Sequence, residues 1–243
     1  MTDGQTPRGT LYLIPVSFGG TDPAAVLPPA TLTAVRGLRR FVAENPKSAR
    51  RFLKAASHPL RLQDVQIDTL DEHTPGSELP RLLGPLLAGE DCGLMSEAGC
   101  PAVADPGAGL IRMAHARGVR VAPLVGPSAI LLAVMSCGLN GQHFTFHGYL
   151  PVEGVDLKRR LRELEEHAAR TGAAQAFIET PYRNGAVLRA MLDACRGDTL
   201  LCVATDLTLP AESVSTRTIA EWKKKPPDLD RRPTVFVLWR SPK

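Results

Sequence analysis

Short apolar strand patterns alternate with helical patterns through the first half of the chain, and this alternation restricts the possible folds more than any other feature. The expected strands are 10–16, 40–44, 65–70, 92–96 and 119–125, with helical spacing at 32–38, 45–56, 79–87 and 110–116. Strands of this length that alternate with helices are typical of parallel sheets covered by helices. The sequence therefore predicts an α/β domain with a largely parallel sheet over residues 1–125.

The pattern changes after Gly126-Pro127, where an apolar helix replaces the alternation. The expected elements are helices at 128–136, 157–170 and 182–195, strands at 144–150, 175–179, 200–207 and 234–240, and a loop at 223–232 rich in Lys, Pro and Asp. A turn signal such as Gly-Pro is typical of a boundary between elements. The sequence predicts a second α/β domain over residues 126–243.

The apolar stretch from Val119 to Leu139 is about as long as a membrane span, but its composition argues against one. It carries Arg120, two prolines and Gly126, whereas a spanning helix needs about 20 uninterrupted apolar residues. A strand, a turn and a buried helix account for it better. We expect no membrane segment and a cytoplasmic protein.

Metal and disulfide chemistry lack their usual spacing. The five cysteines are odd in number and include no C-x-x-C pair, which argues against a metal site and against a disulfide framework. His143 and His147 are four residues apart, but they lie in an expected strand, where this spacing does not suit a shared metal. We expect no metal site.

Common nucleotide and hydrolase motifs are also absent or incomplete. The sequence has no G-x-x-x-x-G-K-[ST] motif, which excludes a P-loop nucleotidase. Gly107 and Gly109 begin like a dinucleotide fingerprint, but Arg112 occupies the third glycine position. The G-x-S-x-G elbow of hydrolases is broken at Ile130, so Ser128 fits better as a helix N-cap.

A loop of small residues, SEAGCPAVADPGAG, runs from Ser96 to Gly109 and directly follows an apolar strand. Small residues let a ligand lie against the backbone, and the carboxyl ends of strands are where open α/β sheets bind ligands. A tight structural loop explains the composition equally well, and Asp105 could cap the helix at Leu110 instead of contacting a ligand.

The same loop resembles the D-A-G-T-P-x-I-S-D-P-G signature of the tetrapyrrole methylase family. Three further segments resemble its motifs P-G-P-S-A, F-x-F-x-G-F-L-P and F-Y-E-S-P-H-R, namely 125–129, 144–151 and 177–183. Residues 44–53 are similar to the E-D-T-R-x-T-x-x-L-L of the branch that methylates the 2′-hydroxyl of a cytidine in small-subunit ribosomal RNA. These segments occur in the order of the family motifs.

The resemblance implies a fold of two α/β domains with S-adenosylmethionine in the cleft between them, and a homodimer. The residues it assigns to cofactor binding are Ser96, Glu97, Ala98, Gly99, Cys100, Pro101, Asp105, Gly126, Pro127, Ser128, Ala129, Ile178 and Thr180. Methyl transfer from a sulfonium is a one-step displacement, so alignment of the reacting atoms supplies much of its rate.

A ribose hydroxyl must lose its proton as the methyl group arrives, so its methylation needs a base or a strongly polarising site. The resemblance makes Glu44 and Glu179 the candidates for this catalytic role, because both lie in matched motifs. Either carboxylate could orient a loop instead.

Positive charge is concentrated in one segment of a chain whose net charge is only +4. We expect RNA phosphates to be contacted by Arg36, Arg39, Arg40, Lys47, Arg50, Arg51 and Lys54. An exposed, solvated helix face is the alternative. The basic run at 158–162 is balanced by neighbouring glutamates and fits a solvated face.

The sequence departs from the family motifs at several positions. The first-strand motif P-T-P-I-G-N is Pro15-Val16-Ser17-Phe18-Gly19-Gly20 here, the Asp of D-A-G-T-P is Glu97, and its Thr is Cys100. Two alternatives to ribosomal RNA methylation therefore stay open. One is carbon methylation of a tetrapyrrole, and the other is a non-catalytic protein that binds S-adenosylmethionine.

Overall fold

The structure is a computed structural model and describes residues 7–242. The chain divides into two compact units, the first ending at Ser128 and the second beginning at Ala129.

The first unit contains a five-stranded parallel sheet in the order β3-β2-β4-β1-β5. Its strands are β1 (Thr10–Ile14), β2 (Arg40–Ala43), β3 (Gln66–Thr69), β4 (Cys92–Met95) and β5 (Arg120–Pro123). Its helices are α1 (Pro23–Val26), α2 (Pro29–Gly37), α3 (Pro46–Ala55), α4 (Leu79–Leu87) and α5 (Ala108–Ala116), with a 3-10 turn at Gly76–Glu78. The predicted α/β class and parallel sheet are confirmed.

Apolar side chains project from both faces of this sheet, because parallel sheets are buried on both sides. Ile14, Phe41 and Met95 pack with α2 and α3 in one cluster, and the opposite face packs with α4 and α5 in another. Gly93 on β4 is required by the first cluster, since an added Cβ would lie 2.4 Å from Ile14 Cδ1. The segments that leave the adjacent strands β1 and β4 thus pass to opposite faces, the arrangement at which open α/β sheets bind ligands.

The second unit contains a mixed sheet in the order β6-β7-β10-β8-β9, in which only β6 and β7 are parallel. Its strands are β6 (Phe144–Tyr149), β7 (Ala174–Ile178), β8 (Leu200–Thr205), β9 (Ser213–Thr218) and β10 (Thr234–Trp239). Its helices are α6 (Ala129–Ser136), α7 (Gly154–Thr171), α8 (Asn184–Ala194) and α9 (Ile219–Lys224). Phe177 and Phe236 are fully buried in its main core, with stacked rings 5.6 Å apart.

β9 and α9 are not predicted from the sequence, and the predicted loop at 223–232 begins inside α9. β9 is an edge strand of mostly Ser and Thr, so it lacks the apolar alternation that predicts a strand. α9 is short and is fixed by a capping box between Thr218 and Glu221, a polar signal.

The apolar stretch at 119–139 forms β5, a connecting segment and α6, as the sequence predicts. The expected burial of the helix is wrong, because within α6 the buried residues are Ala133 and Val134, whereas Leu131 and Met135 are well exposed. Within residues 7–242, no helix combines the length and the apolar character that a membrane crossing needs.

Candidate functional site

Glu44 lies at the carboxyl edge of the first sheet because it directly follows β2. The next residue, Asn45, caps α3: its Oδ1 accepts hydrogen bonds from the backbone N–H groups of Lys47 (2.9 Å) and Ser48 (3.4 Å). Pro46 is the first helical residue, where its missing N–H costs nothing. The strand end and the cap together fix the position of Glu44.

The loop after β4 is held against the end of β1 by a two-way backbone bridge. Val16 and Gly99 each donate their N–H to the other's carbonyl at 2.9 Å. Gly99 has φ +75°, and an added Cβ would lie 3.3 Å from Phe18 Cε1, so a glycine fits this position best. Ala102 and Ala104 also have positive φ angles, of 63° and 62°. Backbone strain of this kind is concentrated at functional sites.

Gly126, Pro127 and Ser128 belong to the first unit, whereas the sequence boundary of 125/126 assigns them to the second domain. An added Cβ at Gly126 would lie 2.5 Å from Pro15 Cβ, and the Pro127 carbonyl accepts a hydrogen bond from Cys100 Sγ at 3.5 Å. The segment thus packs on the ends of β1 and β4. Burial raises the pKa of the Cys100 thiol, which keeps it protonated at neutral pH.

Glu44, Glu97 and Asp105 form an acidic group at this edge. The pKa of Glu44 is raised by burial and then by the charges of Asp105 and Glu97, with smaller contributions from Glu72 and Asp71. Burial also raises the pKa of Asp105, Glu97 adds to this, and a hydrogen bond with Ser96 opposes it. None of the three carboxylates has an ion-pair partner among residues 7–242. Unbalanced negative charge of this kind favours a cationic ligand.

Two contacts of this group differ from what the sequence indicates. Asp105 does not cap α5, because the N-cap position is occupied by Gly107, which has no side chain to accept a backbone N–H. Asp105 forms a hydrogen bond with Ser96 instead. Glu97 Oε1 accepts a hydrogen bond from Ser48 Oγ at 2.7 Å, which joins the β4–α5 loop to α3. Ser48 was missed because nothing in sequence spacing brings residues 48 and 97 together.

Helix α3 presents four exposed cations, Lys47, Arg50, Arg51 and Lys54. The opposite face of the helix is buried through Ala49, Phe52 and Leu53, which turns the cations toward solvent. No carboxylate within residues 7–242 pairs with any of the four. The helix therefore presents a basic face, called the α3 basic face below.

The other three predicted RNA contacts differ among themselves. Arg39 is exposed, and Arg36 donates through Nε to the Ala56 carbonyl at 2.8 Å. Arg40 is paired with Asp68 at 2.9 Å and with Glu90 at 3.0 Å, and only 20% of its side chain is exposed. These two carboxylates neutralise Arg40, so we remove it from the set of candidate phosphate ligands.

The remaining candidates, Ala129, Ile178, Glu179 and Thr180, lie in the second unit. Ala129 begins α6, and the other three are at the end of β7. Glu179 is buried, accepts the Thr180 N–H at 2.7 Å and lies 2.8 Å from Arg183 Nη1. These contacts favour an orienting role for Glu179 over that of a base, because its charge is already balanced.

His147 is engaged within the second unit. Its Nε2 lies 2.7 Å from Oε1 of the buried Gln175, its Nδ1 lies 3.3 Å from Arg160 Nη2, and burial lowers its pKa. In the part of the chain that the structure describes, no three His, Cys, Asp or Glu side chains are grouped as metal ligands.

Comparison with known proteins identifies the family. The ribosomal RNA small subunit methyltransferase I of Xylella fastidiosa is 31% identical over 233 residues, which cover 95% of this chain and 80% of that protein. The chain belongs to this family. The enzyme of the same name from Pseudomonas aeruginosa is 29% identical over 244 residues, covering 96% of this chain and 80% of that protein. No family profile matches the chain.

The solved structures show the fold of this methyltransferase family member. The crystal structure of the methyltransferase CobJ superposes with a TM-score of 0.61 at 20% sequence identity, covering 97% of this chain and 95% of that one. The chain thus has the fold of the tetrapyrrole methylases, and it is a methyltransferase. Both expectations from the sequence are confirmed.

Proposed function

We propose that this methyltransferase uses S-adenosylmethionine to methylate a ribose 2′-hydroxyl of small-subunit ribosomal RNA. Membership of a family whose curated members are named for this RNA is the observation that carries the proposal. The α3 basic face supports a polyanionic substrate, because lysines and arginines that bind phosphates displace the counterions condensed on the nucleic acid. Because the proposed substrate belongs to the ribosome, we expect the protein to be located in the cytoplasm.

The first unit contains groups that suit the cofactor. The sulfonium and the ammonium of S-adenosylmethionine are both cationic. The acidic group at the carboxyl edge of the sheet consists of Glu44, Glu97 and Asp105, whose carboxylates form no ion pair within the described residues. The β4–α5 loop adds small residues and a positive-φ glycine, which allow a ligand to approach its backbone. We assign Ser96 to Pro101, Asp105 and Gly126 to Ser128 to this site. Ala129, Ile178 and Thr180 stay predictions.

Bound S-adenosylmethionine would supply an activated methyl group. The chain must then remove the proton of the hydroxyl, and we assign this step to Glu44. A raised pKa makes a carboxylate a stronger base, closer to the value that favours proton transfer at neutral pH. Burial and the charges of Asp105 and Glu97 raise the pKa of Glu44, so the same group that attracts a cation also tunes the base.

A homodimer, which the family resemblance implies, is also part of the proposal. Leu131 and Met135 are four residues apart on α6 and are 57% and 78% exposed. Apolar side chains at this spacing share one helix face, which a second copy would cover. Sedimentation of the Met135→Lys variant beside the wild-type protein tests this, and an unchanged dimer or an unchanged monomer would contradict it.

Transfer of labelled methyl from S-adenosylmethionine tests the function itself. The acceptors are 30S subunits and free ribosomal RNA from a strain that lacks this gene, with a porphyrinogen in a parallel reaction. We expect label in the RNA. Label in the porphyrinogen alone would assign the chain to tetrapyrrole methylation, and label in neither acceptor would refute the proposed substrate.

A further inference from the structure

An aromatic ring is held in solvent at the end of β7 in the second unit. Tyr182 is 77% exposed, and its hydroxyl forms no hydrogen bond within residues 7–242. The turn that presents it is closed by the Arg183 N–H, which donates to the Thr180 carbonyl at 2.9 Å. Exposure of a large ring forgoes the stabilisation that burial would give.

The turn is rigid because two charged side chains fix it. Arg183 pairs with buried Glu179 and also donates through Nη2 to the carbonyls of Pro151 and Val152, at 3.4 and 3.3 Å. The β7–α8 turn is thereby joined to the loop that follows β6. Tyr182 is presented by a fixed backbone.

Arg231 lies over this ring, with its guanidinium carbon 5.8 Å from the ring centroid. Its φ is +55°, a left-handed conformation that is costly for a residue with a long side chain. No carboxylate within the described residues forms an ion pair with Arg231. A strained backbone that keeps a charged side chain against an exposed ring needs support from its surroundings.

That support comes from the residues on either side of Arg231. The Arg232 carbonyl accepts from the side chain of buried Asn184 at 2.7 Å, and the Arg232 side chain pairs with Asp206 at 2.7 Å. Leu229 is buried in the core, and its carbonyl accepts from the Arg232 N–H at 3.2 Å. The loop is therefore anchored on both sides while the Arg231 side chain stays at the surface.

We infer that Tyr182 and Arg231 form a stacking site for one unpaired base of the RNA substrate, an inference that rests on the proposed function. Unstacked RNA bases are recognised by aromatic rings and by guanidinium planes, and this pair offers both, with the guanidinium over a ring that stays 77% exposed. Segment 228–232 carries two acidic and two basic residues and thus no net charge, so we expect stacking rather than phosphate attraction to provide the affinity. The site is separate in kind from the α3 basic face, whose contribution is electrostatic.

Fluorescence anisotropy with a labelled decacytidylate, an oligonucleotide without secondary structure, tests the inference. Loss of one stacked base predicts about 5- to 150-fold weaker binding for Tyr182→Ala. Tyr182→Phe keeps the ring and should stay close to the wild-type affinity. Because the contact is not ionic, the loss in Tyr182→Ala should be equal at low and high salt.

Arg231→Gln should weaken binding less than Tyr182→Ala, and the double variant should show less than the product of the two losses, because the side chains act together. Arg189→Gln, which removes an exposed cation from α8, is the matched control and should leave the affinity unchanged. Equal affinities of Tyr182→Ala and wild type for the oligonucleotide would overturn the inference. Altered oligomeric state with unchanged RNA affinity would assign the ring to a protein interface and overturn it as well.

Methylation and oligonucleotide binding together distinguish a wrong stacking site from a wrong proposed function. If Tyr182 is unimportant, the wild type and Tyr182→Ala methylate ribosomal RNA and bind decacytidylate equally. If the proposed function is wrong, the wild-type protein itself neither methylates nor binds RNA.

Discussion

Removal of charge from the α3 basic face should change the salt dependence of RNA binding in a calculable way. Arg50→Gln with Arg51→Gln removes two of the four exposed α3 cations, none of which is paired with a carboxylate of residues 7–242. Each phosphate contact contributes a slope of about −0.7 to −0.9 in the logarithm of affinity against the logarithm of salt concentration. If each cation contacts one phosphate, the four contribute a slope of about −2.8 to −3.6, and the double variant retains about half of it.

The same numbers give a fold-change. Between 50 and 200 mM salt, the four contacts together should cost the wild type about 50- to 150-fold in affinity, whereas the two that remain cost the variant about 7- to 12-fold. Binding of labelled small-subunit ribosomal RNA, measured by anisotropy at four or more salt concentrations, gives the slope for each protein.

Arg61→Gln with Arg81→Gln is the matched control, because it removes the same charge from arginines that are already paired. Arg61 lies 2.7 Å from Asp64, and Arg81 lies 2.8 Å from Asp68 and 2.9 Å from Glu78. This variant should keep the wild-type slope. An equal slope in wild type and the α3 variant, or an equal decrease in both variants, would refute the assignment of RNA phosphates to α3.

Three further predictions follow from the burial and pKa shifts of single residues. Glu44→Gln should lower the methylation rate by about 10²- to 10⁴-fold. In the wild type, kcat/KM should fall as pH decreases through the raised pKa of Glu44, and the variant should lack this fall. A variant with the wild-type pH profile would contradict the role of Glu44 as base. The pKa of Asp105 is raised in the folded state, so the folded protein binds more protons than the unfolded chain and its stability falls as pH rises. Asp105→Asn should therefore unfold at a higher urea concentration than wild type at about pH 7, with a smaller difference at about pH 4. A variant less stable than wild type at neutral pH would contradict this. Phe177→Ala should cost about 3–5 kcal/mol in the unfolding free energy of the second unit, reported by the fluorescence of Trp222 and Trp239, and a loss below about 1 kcal/mol would contradict the packing against Phe236.

The sequence predicts the first unit well because its strands carry strong apolar signals. Each expected strand there appears within two residues of its predicted ends, and the parallel arrangement follows from the helices between them. Edge strands made mostly of polar residues are predicted poorly from the sequence. β9 consists largely of Ser and Thr, so local patterning does not distinguish it from a loop.

In the candidate site, too, local sequence patterns predict some features, whereas contacts between distant residues are not predictable from them. The β4–α5 loop is predictable because it directly follows an apolar strand. Glu44 is a candidate through the motif resemblance, and its position just after β2 differs from the expected strand 40–44, which includes it. The bond between Ser48 and Glu97, the pairing of Arg40 with Asp68 and the contact of Arg231 with Tyr182 join residues that are far apart in sequence. Charge counting along the chain cannot separate the paired Arg40 from the unpaired cations of α3, because the pairing depends on strand order in the sheet.

The most direct test of the account is the chemical identity of the methylated product. Small-subunit RNA from a strain that lacks this gene would be treated with the protein and labelled S-adenosylmethionine, digested to nucleosides and separated by liquid chromatography with mass spectrometry. We expect the label in a 2′-O-methyl nucleoside, and we expect no label after reaction with Glu44→Gln. Label in a base-methylated nucleoside, or in no nucleoside, would contradict it.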